Sequence, residues 1–231
     1  MDLRPIRGQH RDPRRLERLG AVPIALVSYD QRVVLRALIV AALLAAPAEQ
    51  LGRSWEGRPI EAVHVAGQGP RILVVGCIHG DECEGIEVTR LLERSRPDID
   101  LWLVHQLNPD GYAGRRRTNA HGIDLNRDFV TASQRETRIG RKLILRLRPD
   151  VTIWFHQPQS VVRAWGRSRA TARRYARLAG VRYRSLVWPP GSASRWQNGL
   201  GQASFVVELP PGELPDALAR RHASAVLALT G

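Results

Sequence analysis

The sequence predicts an α/β fold: a mixed, mostly parallel sheet with helices packed on both faces. Three observations carry this. Strand-like and helix-like segments alternate from about Arg53 onward, the order that builds a helix-covered sheet. The runs ILVVGCI at 72–78 and VTIWF at 151–155 are continuously apolar, as strands covered on both faces are. The 231 residues, 43% hydrophobic and 25% charged, suffice for one good core.

Taken in order, Ile60 to Val65 reads as a short strand closed by the turn signal GQG at 67–69. Ile72 to Ile78 is the first buried strand, and Glu84 to Arg94 follows with helical period through Ile86, Leu91 and Leu92. Leu101 to Leu107 is a strand stopped by NPDG, a strong turn signal. A polar loop then runs to Phe129. Thr137 to Leu147 reads as a helix, Val151 to Phe155 as a strand and Thr171 to Ala179 as a helix. Val181 to Val187 is a strand followed by a loop rich in Pro, Gly and Ser. Ala203 to Leu209 is a strand stopped by Pro210 and Pro211, and a last helix spans about Pro215 to Leu229. No repeat interrupts this single domain.

The first 48 residues differ in character. Arg4, Arg7, Arg11, Arg14, Arg15 and Arg18 occupy a stretch with little apolar content, which reads as a loose basic leader. Arg32 and Arg36 then precede an apolar run from Ala37 to Ala46, with small residues at Ala46 and Ala48 around Pro47. That is the outline of a secretory signal, and it is too short for a stable membrane span. Residues 1–48 are therefore expected to be leader and signal-like segment, and 49–231 the domain. The expected location is outside the cell or in its envelope, or the cytoplasm if the segment is not processed.

The net charge of +13 is almost all arginine, Lys142 being the single lysine. Positive charge favours polyanions in general. The arginines, however, are scattered in ones to threes with no aromatic platform between them, so they read as a solvated basic surface. No nucleic-acid recognition motif is present. Cys77, at a strand end, and Cys83, at a helix start, read as two buried free thiols; two cysteines exclude a disulfide framework.

Polar residues collect at one edge of this sheet. His79, Asn108, His156 and Glu208 each fall at or just past the C-terminal end of an expected strand, where open α/β sheets bind ligands. His79 and Glu82 stand i, i+3, and with His156 as a distant third ligand they fit the recipe of a catalytic zinc site. Alone, His79-x-x-Glu82 is a weak motif, and a His after a strand is more often a hydrogen-bonded turn residue. The loop RRRTNAHGIDLNRDF at 115–129 adds Arg117, Asn119, Asp124, Asn126 and Arg127 beside the apolar anchors Ile123, Leu125 and Phe129. Arg and Asn grip carboxylates, and an Asp near a ligating His commonly accepts its second N–H. Glu208 closes an otherwise apolar strand, and burial there would raise its pKa toward general-base duty.

HGDE, NPDG, RTNAHGIDLNR, the strand-end FH and VELP, in this order, resemble the zinc carboxypeptidase family, which includes the digestive carboxypeptidases and the bacterial murein-peptide amidases. The resemblance runs from about Arg53 to the C-terminus. It implies a three-layer α/β/α sandwich around an eight-stranded sheet and one Zn²⁺ held by His79, Glu82 and His156. It further implies that Asn126 and Arg127 bind a substrate carboxylate and that Arg117 steadies the oxyanion. Asp124 would stand behind the first His ligand, and Glu208 would be the general base.

Two departures stand out. No tyrosine occurs between Tyr183 and Glu208, where the family carries one that contacts substrate, leaving that role to Trp188 or Trp196. Asp128 replaces the usual Asn and is expected near the carboxylate site. Compactness of this kind resembles the amidases that cut between γ-D-glutamate and diaminopimelate in cell-wall peptides. The expectation is thus a monomeric zinc peptidase acting on a peptide or cell-wall peptide. The alternatives are an N-acyl amino acid deacylase of the same fold and a non-catalytic basic module that binds acidic polymer.

Overall fold

The computed structural model describes residues 48–229. The expected leader and signal-like segment therefore lie, but for Ala48, outside the described residues. The strands are β1 (Ala48–Arg53), β2 (Pro59–Val65), β3 (Arg71–Val75), β4 (Asp100–Val104), β5 (Val151–His156), β6 (Val161–Ala164), β7 (Arg182–Ser185) and β8 (Ala203–Glu208). The helices are α1 (Gly85–Glu93), α2 (Pro109–Ala113), α3 (Arg135–Leu147), α4 (Arg169–Ala179), α5 (Ala193–Gly199) and α6 (Asp216–Leu227).

The eight strands form one sheet in the order β1-β2-β4-β3-β5-β8-β6-β7. Its centre, β4-β3-β5-β8, is parallel, while β1, β2 and the β6–β8 pairing are antiparallel. One face packs Ile72, Val74, Ile153, Phe155, Phe205 and Val207 against α1, α4 and α6. The other packs Leu73, Val75, Trp154 and Val206 against α3, Ala193 of α5 and the loop residues Leu125 and Phe129. Each such buried side chain stabilises the sandwich by ~1.5–3 kcal/mol.

Several elements depart from expectation for local reasons. β1 has little β-propensity, and it forms because β2 offers an antiparallel partner from Ala48 onward. β3 and β4 end at Val75 and Val104, although Ile78 and Leu107 beyond them are buried; apolar runs report burial, not pairing. β6, only four residues long, is held between β8 and β7, which also limits β7 to four residues. Helix α5 forms inside the segment expected to be a Pro-, Gly- and Ser-rich loop.

This topology positions the site. The chain leaves β3 toward β4 on one side, while β5 continues the sheet toward β8 on the other, so the crevice between β3 and β5 is a topological switch point. Along β5 and β8, alternate residues face opposite layers. His156 and Glu208 are register partners and emerge on the α3/α5 face at the same edge.

Candidate metal centre and active site

Three donor atoms meet at the switch point. His79 Nδ1 lies 3.0 Å from Glu82 Oε2 and 3.1 Å from His156 Nδ1, and Glu82 Oε2 lies 3.0 Å from His156 Nδ1. Ligands about 2.1 Å from one tetrahedral cation stand roughly 3.4 Å apart, so the triangle matches one face of such a site after a small expansion. Two imidazole nitrogens aimed at each other and at a carboxylate oxygen cannot all be satisfied by one another without a shared proton. A cation satisfies all three, and the donor set suits zinc.

Local structure explains the convergence. His79 and Glu82 lie in a turn before α1, not on the helix, with Glu82 N donating to His79 O at 3.0 Å. The turn reverses the chain tightly enough to bring the Cα atoms of Cys77 and Cys83 within 4.6 Å, and the two form a disulfide. This corrects the expectation of free thiols, which assumed that the helix begins at Cys83. Gly80 is required here: a Cβ would stand 1.9 Å from the backbone of Gly111. Asn108, fully buried, is a brace and not a substrate contact. It donates to Ile78 O at 3.2 Å and accepts from Gly111 N at 2.9 Å.

Asp124 accepts from the other ring nitrogen of His79, Nε2, at 2.9 Å, which fixes the tautomer that leaves Nδ1 free to ligate. Arg117 donates through Nε to Asp124 at 3.1 Å and through Nη1 to Glu82 Oε1 at 2.6 Å. Burial favours the neutral form of Glu82, but hydrogen bonds from His156 and His79 outweigh it and hold the carboxyl well below its usual range. Asp124 is likewise held low, its burial overcome by His79 and the two arginines Arg117 and Arg127. His79 is raised despite burial by the same carboxylates, whereas burial pushes His156 down to about 4.

Glu208 behaves oppositely. It is buried, and its Oε2 has no hydrogen-bond partner among the described residues. Burial first, and the negative charge of Glu82 second, push its carboxyl up to about 7. Trp188 stacks on His156, with ring centroids 6.1 Å apart. Trp196 instead packs on Phe129 in the core. Of the two, Trp188 is the one at the site.

The comparisons with known proteins agree with this geometry. The family described as "Zinc carboxypeptidase" matches residues 46–142. The chain is 28% identical over 99 residues to carboxypeptidase SOL1 of Arabidopsis thaliana, a match spanning 34% of this chain and only 20% of that protein. It is 26% identical to murein peptide amidase A of Escherichia coli K12 over 71% of this chain and 81% of that one. The crystal structure of the murein-tripeptide amidase MpaA from Escherichia coli O157 superposes with a TM-score of 0.67 at 23% identity, covering 80% and 92% of the two chains. Residues 46–142 are similar to the zinc carboxypeptidases, and the fold is theirs.

In this carboxypeptidase-type fold the remaining expected residues take the following places. Asn126 is buried; its Oδ1 accepts from Ala193 N at 2.9 Å, and its Nδ2 stands 3.5 Å from His156 Nε2. Arg127 is anchored by donation to Asn126 O at 2.7 Å. Gly191 allows the 188–194 segment to press on this turn, since a Cβ there would meet Arg127 O at 2.0 Å and its φ is +80°. Asp128 does not join the carboxylate site. Its carboxylate turns back to accept from Thr131 Oγ1, Ser133 N and Oγ, and Gln134 N, because the chain needs those donors satisfied before α3. Asn119, fully buried, is spent on the loop backbone at His121 and Ile123.

Beside Glu82 opens a cleft of about 1160 Å³. Asp81, Glu84, Glu87, Glu213 and Asp216 line it, with Tyr112, Arg115 and Gln157. Gln157, which sequence reasoning passed over, ties this wall together by donating to Pro210 O at 2.9 Å and Gly212 O at 2.8 Å. Its signal was its place, directly after the ligand His156.

Proposed function

We propose that this protein is a zinc-dependent hydrolase of carboxypeptidase type that cuts an amide bond next to a free carboxylate, with a cell-wall stem peptide as substrate. The observation that carries the reading is the donor triangle with a buried, unpartnered carboxyl beside it, Glu208 in register with His156. When bound, zinc supplies a Lewis acid and lowers the pKa of water toward ~7. His79, Glu82 and His156 would hold it. Asn126 and Arg127 bind the carboxylate of the residue to be released, which places its amide against Glu208. Glu208, with a pKa near neutrality, accepts a proton from the attacking water and returns it to the leaving amine nitrogen. Arg117 donates to the carbonyl oxygen as negative charge develops there. The acid-lined cleft receives the acyl part of the substrate.

The likeness to murein peptide amidase A over most of both chains favours the bond between γ-D-glutamate and diaminopimelate. The DLNR turn, with Asn126 and Arg127 built into the site, argues against a deacylase. A substrate in the cell wall agrees with export of the domain, directed by the apolar segment at 37–46; no helix among the described residues is long and apolar enough to cross a membrane. The test is to incubate zinc-loaded protein with a muropeptide and with an N-blocked dipeptide and to identify products by mass spectrometry. Release of diaminopimelate is expected. If neither compound is cut, the reading is wrong.

A further inference from the structure

Among the described residues some buried side-chain polar atoms near Glu208 lack a hydrogen-bond partner. They are Arg163 Nε on β6, Trp188 Nε1, whose ring contacts both Arg163 and His156, and Glu208 Oε2 itself. Buried polar groups are rarely left unpaired, and a cluster of them bordering a reaction centre marks a place where a polar ligand supplies the missing partners.

Arg163 gives that ligand its sign. It is two residues from Val161, the register partner of Glu208, and therefore projects from the same sheet face as Glu208 and His156. Its guanidinium carbon lies 5.5 Å from the centre of the Trp188 ring, which stacks in turn on His156. One terminal nitrogen donates to Gln159; no carboxylate pairs with it among the described residues. Residues 151–207 carry nine arginines and no Asp or Glu; the acid whose charge Arg163 feels is Glu208 on the adjacent strand. Asn126 and Arg127 fix the direction: the 188–194 segment is packed on their turn through Ala193 N and Gly191. A released residue whose main-chain carboxylate sat on Asn126 and Arg127 would extend its side chain toward Trp188 and Arg163.

We propose that Arg163 is a specificity-determining residue that selects a leaving amino acid whose side chain ends in a carboxylate. The proposal rests on the hydrolase reading above, and names the chemistry of the residue released. A charge-assisted, two-pronged pair is the natural partner of a half-buried guanidinium, and an aliphatic or cationic tip would leave it unpaired.

meso-Diaminopimelate and L-lysine suit the test, because they share the diamine chain and differ by the far carboxylate. Calorimetric titration of zinc-loaded protein with each is expected to show roughly 10- to 100-fold tighter binding of diaminopimelate. Diaminopimelate has a second α-amino acid end that also chelates metal, so the ratio is read against Arg163→Met, in which chelation is unchanged. Arg163→Met is expected to bring the ratio to about unity and Arg163→Lys to restore part of it. Zinc content and melting temperature report whether the variants fold. An equal ratio in the native protein and Arg163→Met overturns the proposal, as does failure of the native protein to bind diaminopimelate. Cleavage of matched γ-D-glutamyl peptides ending in diaminopimelate or lysine separates the two readings. Indifferent cleavage of both leaves hydrolysis standing and removes the role of Arg163. An Arg163-dependent binding preference without any cleavage does the reverse. A purely electrostatic influence of Arg163 on Glu208 would change both rates equally and leave their ratio untouched.

Discussion

The two sides of the reaction centre are built on opposite principles. On the β3 side, Glu82 is saturated: Oε2 faces both imidazoles and Gln157 N, and Oε1 accepts from Arg117. On the β8 side, Glu208, Trp188 and Arg163 keep buried polar atoms without partners among the described residues. The carboxyls respond in opposite directions, Glu82 held well down and Glu208 pushed up to about 7. A carboxyl ringed by hydrogen-bond donors keeps its charge, as a cation's ligand must; one left without them takes up and gives back a proton near neutrality. The sign of charge divides in the same way, with acids around the cleft and only arginines through residues 151–207.

The strongest attempt to break this contrast is Glu208→Gln, which keeps shape and removes the proposed base. Turnover is expected to fall by roughly 10²- to 10⁴-fold with zinc content unchanged by elemental analysis. Retained turnover would take Glu208 out of the mechanism. Next in size, Arg117→Met removes both a support of Glu82 and the oxyanion donor. A loss of ~3–4 kcal/mol in transition-state stabilisation is expected, read as kcat with KM much less affected; a pure KM effect would make Arg117 a binding group only.

The opposite face of the sheet sharpens the comparison through a histidine without an acid. His222 is buried, bonded to Tyr175 Oη at 2.7 Å, and burial followed by the charge of Arg221 pushes it down to about 4. Its unfolded value is ~6.5. Between these values the unfolded chain binds the proton and the folded chain does not, so stability is lost as pH falls from ~6.5 to about 4 and is present above that window. The cost is ~3 kcal/mol, on the order of 1.4 kcal/mol per unit. Urea unfolding at both pH values should show that His222→Gln loses less stability over this window than the native protein; identical slopes would refute it. The smallest effect expected is that of Asp124→Asn. Loss of the charged partner of His79 should weaken zinc binding by roughly 10- to 100-fold, measured by chelator competition, and unchanged affinity would leave Asp124 a loop residue only.

Much of this was legible beforehand. Continuous apolar runs fixed β3, β5 and β8 because strands buried on both faces admit nothing else, and the polar residues that interrupt them had to fall at the edge. Other parts were hidden. β6 and α5 are too short to show a period, and they form only because β8 and the Asn126 turn receive them. Asn119 reads by residue type as part of a carboxylate grip and Asp128 as a neighbour of it, yet Asn119 braces its loop and the start of α3, and Asp128 turns back on residues 131–134. Cys77 and Cys83 pair because a turn closes where a helix was expected.

By itself the sequence determined the donor set, His79, Glu82, His156 and Glu208, and its delivery to one sheet edge, since strand length and side-chain type are local properties. Only the tertiary structure decided that three of these atoms close to within 3.1 Å and that the fourth, Glu208 Oε2, is buried with no hydrogen-bond partner among the described residues. Which polar atoms find partners depends on neighbours distant in the chain, and no spacing rule records that.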